Sequence, residues 1–249
     1  MLTILIGRAK TGKSDTMLRR MAELGESSQQ ILLVPEHASH QAEVDVCRAC
    51  GDTASRHAEV LSFRRLSERV LSITGGIADV TLDNGGKLLT LQRALLETAP
   101  QMTVYRKPSQ KVGFLEQMLA LFDELRSYEV TPEILYQQAQ DIDGATHDKL
   151  TDLSLLYAAY EARLRRPGLD ARDRMSKLCD HLEESRIAGG VDFFLDGFSY
   201  FTAQEQKVLS VLLRQGRSVT VSLLGEKQGG RSELFDVSYR TRDALLRLA

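Results

Sequence analysis

The sequence predicts an α/β protein: a parallel sheet with helices on both faces, opened by a phosphate-binding loop and interrupted by a long all-helical block. Three observations carry this. An apolar run ending in Gly7 leads, four residues on, into Gly12-Lys13-Ser14 and a helix-spaced stretch to Leu24. Further apolar strand candidates alternate with helical segments up to about residue 83 and again from 191, the pattern of βαβ units. Between them, from 84 to 190, four segments carry apolar residues at three- and four-residue spacing with no convincing strand. A length of 249 residues with 43% hydrophobic content suits one large domain or two small ones with an ample core.

Leu2, Ile4, Leu5 and Ile6 suit a buried strand, and the stretch from Lys13 to Leu24 has helical spacing. The turn between them, Gly7-Arg8-Ala9-Lys10-Thr11-Gly12-Lys13-Ser14, is G-x-x-x-x-G-K-S. Glycines there allow backbone angles closed to other residues, and loop N–H groups with a helix N-terminus surround an anion. In such a loop Lys13 would reach the β and γ phosphates of ATP, and Ser14 would hold Mg²⁺ through its hydroxyl. The plain structural reading is a glycine-rich helix entry that binds nothing.

A second strand is expected at "QILLVPE", 30–36, stopped by Pro35 and followed by the helical "SHQAEVDVCRAC". A third, "AEVLSF" at 58–63, leads into the helix "RRLSERVLSIT", which ends at Gly75-Gly76. Strands alternating with helices in this way imply a parallel sheet. The helical block contains "GKLLTLQRALLETA", "VGFLEQMLALFDELRSY", "KLTDLSLLYAAYEARLRR" and "ARDRMSKLCDHLEESR". "VDFFLDGFSYF", 191–201, then restores a buried strand, followed by the helix "AQEQKVLSVLLRQ" and the strand "SVTVSLLG". The expected division is a discontinuous sheet domain at 1–83 and 191–225, an inserted helical subdomain at 84–190, and a linking segment at 226–249.

Asp196, after the apolar "FFL", matches the strand-end aspartate that holds the Mg²⁺ water shell in phosphate-loop proteins; the plain alternative is a turn-capping aspartate. Hydrolytic members place a glutamate next, and here the next residue is Gly197. The net charge of −2 means that any nucleic-acid contact has to come from a local patch. Cys47 and Cys50 form a C-x-x-C and Cys179 stands apart; with no second pair, these read as thiols in a reducing compartment. The start "MLTILIG" is too short for a signal-peptide core and no run reaches membrane-spanning length, so a cytoplasmic protein with no membrane partner is expected.

Taken in order, "GRAKTGKS", "LLVPEHASHQAE", "EVLSFRRLSERVLSITGG", "GFLEQMLALFDELRSYEVTPEIL", "LTDLSLLYAAYEARL" and "FFLDGFSYFTAQEQKVL" resemble the AddB-type subunits of bacterial AddAB helicase–nucleases, across essentially the whole chain. These enzymes process broken DNA ends. The resemblance implies a RecA-like first domain of a superfamily 1 helicase with the helical block as its insert, and an N-terminal fragment of a much longer polypeptide. The family's iron–sulfur cluster belongs to a C-terminal nuclease region outside this chain. An AddA-type subunit is the implied partner and motor, while the AddB region scans single-stranded DNA for the Chi hotspot without motor activity of its own. The glutamate missing after Asp196 agrees with that, and no residue of this chain is expected to be catalytic.

The segments matching helicase motifs Ia and Ib are "PEHAS", 35–39, and "SFRRLSE", 62–68. Their expected single-strand contacts are His37 and Ser39 by hydrogen bonds, Phe63 by stacking and Arg65 on phosphate or a base edge, with Phe198 on the same face. The plain alternative makes both phenylalanines core residues and the arginines a solvated helix face. Three departures from the family stand out: His37 and Ser39 where glutamine and threonine are usual, Glu68 where an aromatic is common, and Lys10 where glycine is favoured. Two other readings keep the loop: a small kinase whose lid gathers Arg163, Arg165, Arg166, Arg172 and Arg174, or a scaffold with a vestigial loop that docks a partner protein.

Overall fold

The apolar run of residues 2–6 forms a strand, and left-handed Gly12 then lets the chain turn into a helix; the rest of the sheet repeats the theme. The computed structural model describes residues 1–75, 82–106, 112–165, 174–226 and 233–249. In chain order the elements are β1 (Leu2–Gly7), α1 (Lys13–Leu24), β2 (Gln30–Leu33), α2 (Ser39–Cys50), β3 (Ala58–Leu61) and α3 (Phe63–Thr74). Four helices follow, α4 (Asn84–Thr98), α5 (Val112–Ser127), α6 (Pro132–Gln140) and α7 (Ala145–Leu164). The chain then runs α8 (Arg174–Ser185), β4 (Asp192–Leu195), α9 (Ala203–Gln215), β5 (Ser218–Leu224) and α10 (Asp236–Leu248).

The strands form one five-stranded, all-parallel sheet in the order β1-β5-β4-β2-β3. Side chains alternate between two cores, as a pleated strand requires. In β4, Phe193 and Leu195 join the core under α3, α8, α9 and α10, while Phe194 joins the one under α1 and α2. That is why "DFFL" is buried at every position and shows no apolar–polar alternation.

The chain divides into a sheet unit, 1–77 with 174–249, and a helical unit, 78–173. The sequence placed the insert at 84–190 and a linking segment at 226–249, and both limits need correction. Helix α8 belongs to the sheet unit: Leu178 and Leu182 are buried in the core that also holds Phe63, Leu66 and Val208. Helix α10 belongs there too, through buried Leu245. Periodicity shows that a segment is helical without showing what it packs against.

The helical unit has its own core, built on Leu91, Leu95, Phe122, Leu156 and Tyr160, with the Phe122 and Tyr157 rings stacked at 4.7 Å. Buried Asp152 ties α7 to the segment after α4 by accepting from the backbone N–H of Thr103, Val104 and Tyr105 at 3.0, 2.7 and 2.9 Å. Arg126 reaches Glu161 at 2.7 Å and Asp123 at 3.2 Å. Burial and the negative charge of Glu161 together push the Tyr157 hydroxyl up to about 12. Among the described residues, no helix is long and apolar enough to cross a membrane.

Candidate functional site

Since all five strands are parallel, their carboxyl ends share one edge of the sheet, and the predicted site residues of the sheet unit gather there. Open α/β sheets place ligands at that edge. Gly12 sits in the left-handed region, φ 81°, immediately before the first residue of α1. Gly7 is buried, and a Cβ on it would stand 2.5 Å from Thr11 Oγ1, so any other residue there would force the Thr11 side chain to turn away. The Thr11 hydroxyl donates to Arg8 O at 2.8 Å. Lys13 Nζ turns back over the loop and donates to Gly7 O at 2.9 Å and Arg8 O at 2.8 Å. Its ammonium is thus held over the concavity where an anion would sit. Arg8, Ala9 and Lys10 are exposed, and Ser14 is exposed at the start of α1.

Beside this loop lies a cleft of about 600 Å³, lined by Ile4 to Arg8, Thr11 to Lys13, Thr16, Gly225 and Glu226. Glu226 pairs with Arg8 at its mouth. Lys10 adopts φ 59°, a left-handed backbone for a residue with a Cβ. That conformation is strained for lysine and natural for glycine.

Asp196 follows β4 directly, its N–H donating to Leu33 O at 3.0 Å. The Ser222 hydroxyl on β5 donates to its carboxylate, and Gly197 N–H donates to the same oxygen at 3.0 Å. Asp196 is therefore fixed at the strand end with β5 between it and the loop. Among the described residues, no group of three or more His, Cys, Asp and Glu side chains could hold a metal ion. A Mg²⁺ ion here would rest on the Ser14 hydroxyl, on Asp196 and on nucleotide oxygens; a phosphate-bound Mg²⁺ normally takes few protein ligands. The donor set fits that group. The three cysteines are free thiols, and burial with the neighbouring Cys47 pushes the Cys50 thiol up.

The expected single-strand contacts divide. Phe63 is only 6% exposed and packs edge-on against Phe198 at 5.7 Å and Phe201 at 6.3 Å. It is a core aromatic, and its assignment as a base-stacking residue is corrected: helix α3 starts at Phe63, capped by the Ser62 hydroxyl, and the first turn points the ring inward. Phe198 is half-buried against the same core. Arg65 is half-buried and pairs with Glu43 at 2.7 Å. Ser39 opens α2 with its hydroxyl buried, and His37 is exposed. Glu68, the residue expected to repel a nucleic acid, is held by Arg64 at 3.3 Å and Arg174 at 2.8 Å.

Sequence reasoning missed Ser222, a hydroxyl hidden in an apolar strand, and Tyr200. Tyr200 is 53% exposed in the loop that follows Asp196, while its neighbour Phe201 is buried. "GFSYF" offers three aromatics and no periodic rule to choose the outward one. Arg163 pairs with Glu97 in the helical unit and Arg174 with Glu68 in the sheet unit, while Arg166 and Arg172 lie outside the described residues.

This is an α/β protein with an open parallel sheet that carries a glycine-rich strand-to-helix loop and a strand-end aspartate on one edge. The chain belongs to the AddB N-terminal family: the family described as "ADDB, N-terminal" matches residues 4–249. It is similar to the B-type subunit of the ATP-dependent helicase/deoxyribonuclease of Thermoanaerobacter sp. (strain X514), 31% identical over 99% of this chain and 22% of the relative. The proteins of the same name from Desulforudis audaxviator and Desulforamulus reducens are 33% and 36% identical, over 100% and 89% of this chain and 22% and 20% of their own lengths. The chain thus spans about a fifth of the length of these relatives.

Proposed function

We propose that this chain is the RecA-like first domain of an AddB-type subunit, acting with an AddA-type partner on broken DNA ends in the cytoplasm. Its loop binds ATP with Mg²⁺ and does not hydrolyse it at a useful rate, and the carboxyl edge of its sheet holds single-stranded DNA. The observation that carries the nucleotide reading is the Lys13 ammonium, held 2.9 and 2.8 Å from Gly7 O and Arg8 O over a loop that turns at left-handed Gly12. A cation placed there meets a β or γ phosphate, and the N-terminus of α1 adds its own partial positive charge. Asp196, oriented by Ser222, supports the metal.

For DNA, the exposed groups along that edge are His37 and Tyr200, with Arg65 reaching it once Glu43 lets go and Phe198 shaping the floor. A tyrosine that presents its ring to solvent at a ligand-binding edge can stack a base. Titration calorimetry with a slowly hydrolysed ATP analogue and Mg²⁺ tests the nucleotide reading. Saturable binding is expected, weakened at least about tenfold in Lys13→Ala, since a charge-assisted contact to phosphate is worth roughly 1.5–3 kcal/mol. Equal affinity in the two proteins overturns it.

A further inference from the structure

Helix α10 buries Ser238, Tyr239, Thr241 and Leu245. Three of these four carry hydroxyls where an apolar stripe would serve packing alone, and a buried hydroxyl is costly unless it is hydrogen-bonded. Two of the partners lie at the edge that carries the candidate site. Tyr239 Oη accepts from the Glu226 backbone N–H at 3.2 Å. Its ring packs beside Gly225, where a Cβ would stand 3.4 Å from Tyr239 Cε1, with the Arg242 guanidinium 5.2 Å from the ring centroid. The Thr241 hydroxyl has one proton and two acceptors at nearly equal distance, Val237 O in its own helix at 2.9 Å and Ser199 O in the loop after Asp196 at 3.0 Å. It can serve either.

The Glu226 end of these contacts is fastened to the Gly7–Ser14 loop. The Glu226 carboxylate pairs with Arg8, and Gly225 N–H donates to Gly7 O at 3.1 Å. Gly7 O also accepts from Lys13 Nζ at 2.9 Å. Both cations of the loop are therefore engaged by groups that hold residues 225 and 226, and both are groups that a phosphate draws to itself. The Arg8 side chain is 71% exposed. An exposed ion pair contributes little, so it yields to a polyphosphate that offers several charge-assisted acceptors. When Arg8 turns to the anion, Glu226 loses its partner; when Lys13 follows, Gly7 O is left to Gly225.

We propose that α10 links nucleotide occupancy of the Gly7–Ser14 loop to the loop after Asp196. ATP with Mg²⁺ frees Glu226, the change reaches α10 through Tyr239, and the Thr241 hydroxyl exchanges Ser199 O for Val237 O, which releases Ser199 and the exposed Tyr200 beside it. Tyr239 and Thr241 are positioning residues that touch neither ligand. The proposal rests on the nucleotide reading of the loop and is independent of what Tyr200 contacts. The link is reciprocal: whatever holds Ser199 against Thr241 weakens nucleotide binding by the same factor.

The chain has no tryptophan, so Tyr200→Trp places a single reporter at an exposed aromatic position. In that protein, titration with a non-hydrolysed ATP analogue and Mg²⁺ should change the tryptophan emission, with a midpoint that matches the Kd from calorimetry. Adding Tyr239→Phe, which removes only a hydroxyl, or Thr241→Val, which keeps the side-chain shape, should leave calorimetric binding in place and abolish most of the emission change. Thr241→Ser keeps a hydroxyl and should retain the change. An emission change that survives both Tyr239→Phe and Thr241→Val assigns the signal to a direct route through Asp196 and overturns the proposal. Calorimetric binding without any emission change in the reporter protein overturns it too, while the nucleotide reading stands. Absence of calorimetric binding overturns the nucleotide reading and the proposal with it.

Discussion

Gly197→Glu supplies the carboxylate that hydrolytic phosphate-loop proteins carry after the strand-end aspartate, and it is expected to give destabilisation without ATP turnover. Gly197 has φ 81°. An L-residue in that region costs about 1–2 kcal/mol, and the lower entropy of the unfolded non-glycine chain returns about 0.4–1 kcal/mol of it. A Cβ at 197 would also stand 3.3 Å from Pro35 Cδ and 3.7 Å from Cγ, on a ring with little freedom to yield. Together these give a loss of about 1–2 kcal/mol. If the backbone instead relaxes to a negative φ, the 3.0 Å bond from the residue 197 N–H to Asp196 is broken and the Asp196 carboxylate moves.

Urea unfolding and a steady-state phosphate-release assay measure both halves of this. Gly197→Ala isolates the backbone contribution and should lose most of what Gly197→Glu loses. Phosphate release by Gly197→Glu should equal that of the Lys13→Ala control. The reasoning fails if Gly197→Glu is as stable as the parent, or if it turns ATP over steadily and a second Lys13→Ala change abolishes that turnover. In either case the absent glutamate would be a simple deletion rather than part of a reshaped turn.

Other residues give further expectations. Phe63→Ala should cost about 3–5 kcal/mol by core truncation, whereas Tyr200→Ala should stay folded and weaken single-strand binding by the complete complex by about 1–3 kcal/mol; unfolding curves and salt-controlled DNA titrations read the two apart. Lys10→Gly relieves a left-handed lysine and should stabilise the chain by about 0.5–1 kcal/mol in urea unfolding. Asp152→Ala strands three backbone N–H groups and should cost the helical unit about 3 kcal/mol, measured by unfolding or by exchange at Thr103 to Tyr105. Asp192 is buried, which pushes its carboxyl up, but the Ser218 hydroxyl and the Arg217 guanidinium at 2.6 Å outweigh this and hold it below its ordinary 3.8. A depressed folded value gives stability that is present above 3.8 and lost as the pH falls through the folded value. Asp192→Asn should therefore be less stable than the parent near neutrality, and the gap should close below about pH 4 in urea unfolding.

Local geometry was legible in the sequence where one residue type alone could satisfy it. The loop from Gly7 to Ser14 and the aspartate after "FFL" rest on backbone freedom and strand burial, which act over a few residues. Pairing across the sheet was not legible. Nothing in "SVTVSLL" marks Ser222 as the partner of Asp196, because that contact depends on β5 lying beside β4, a fact of strand order. The same limit misplaced α8, whose apolar stripe fits a helical block as well as it fits the sheet.

Phe63 and Tyr200 show how the limit reaches function. A motif match put Phe63 at the carboxyl edge of the sheet, where it does lie, yet α3 starts one residue earlier than periodicity suggested, with Ser62 as its cap, and the ring lies in the core. Its partners there, Phe198 and Phe201, occupy the inner side of the loop after Asp196, leaving Tyr200 as the aromatic of that loop that faces solvent. The cap and the packing of three phenylalanine rings thus go together with Tyr200 facing solvent. A Ser62→Ala change, which removes the cap for about 1 kcal/mol, should loosen Phe63 and Phe198 together and leave the Gly7–Ser14 loop unaltered, because that loop is held by β1, α1 and the residues after β5 rather than by α3. Exchange at the α3 amides beside exchange at the α1 amides reads the difference, and equal loosening of both helices would show that the cap acts on the whole edge instead.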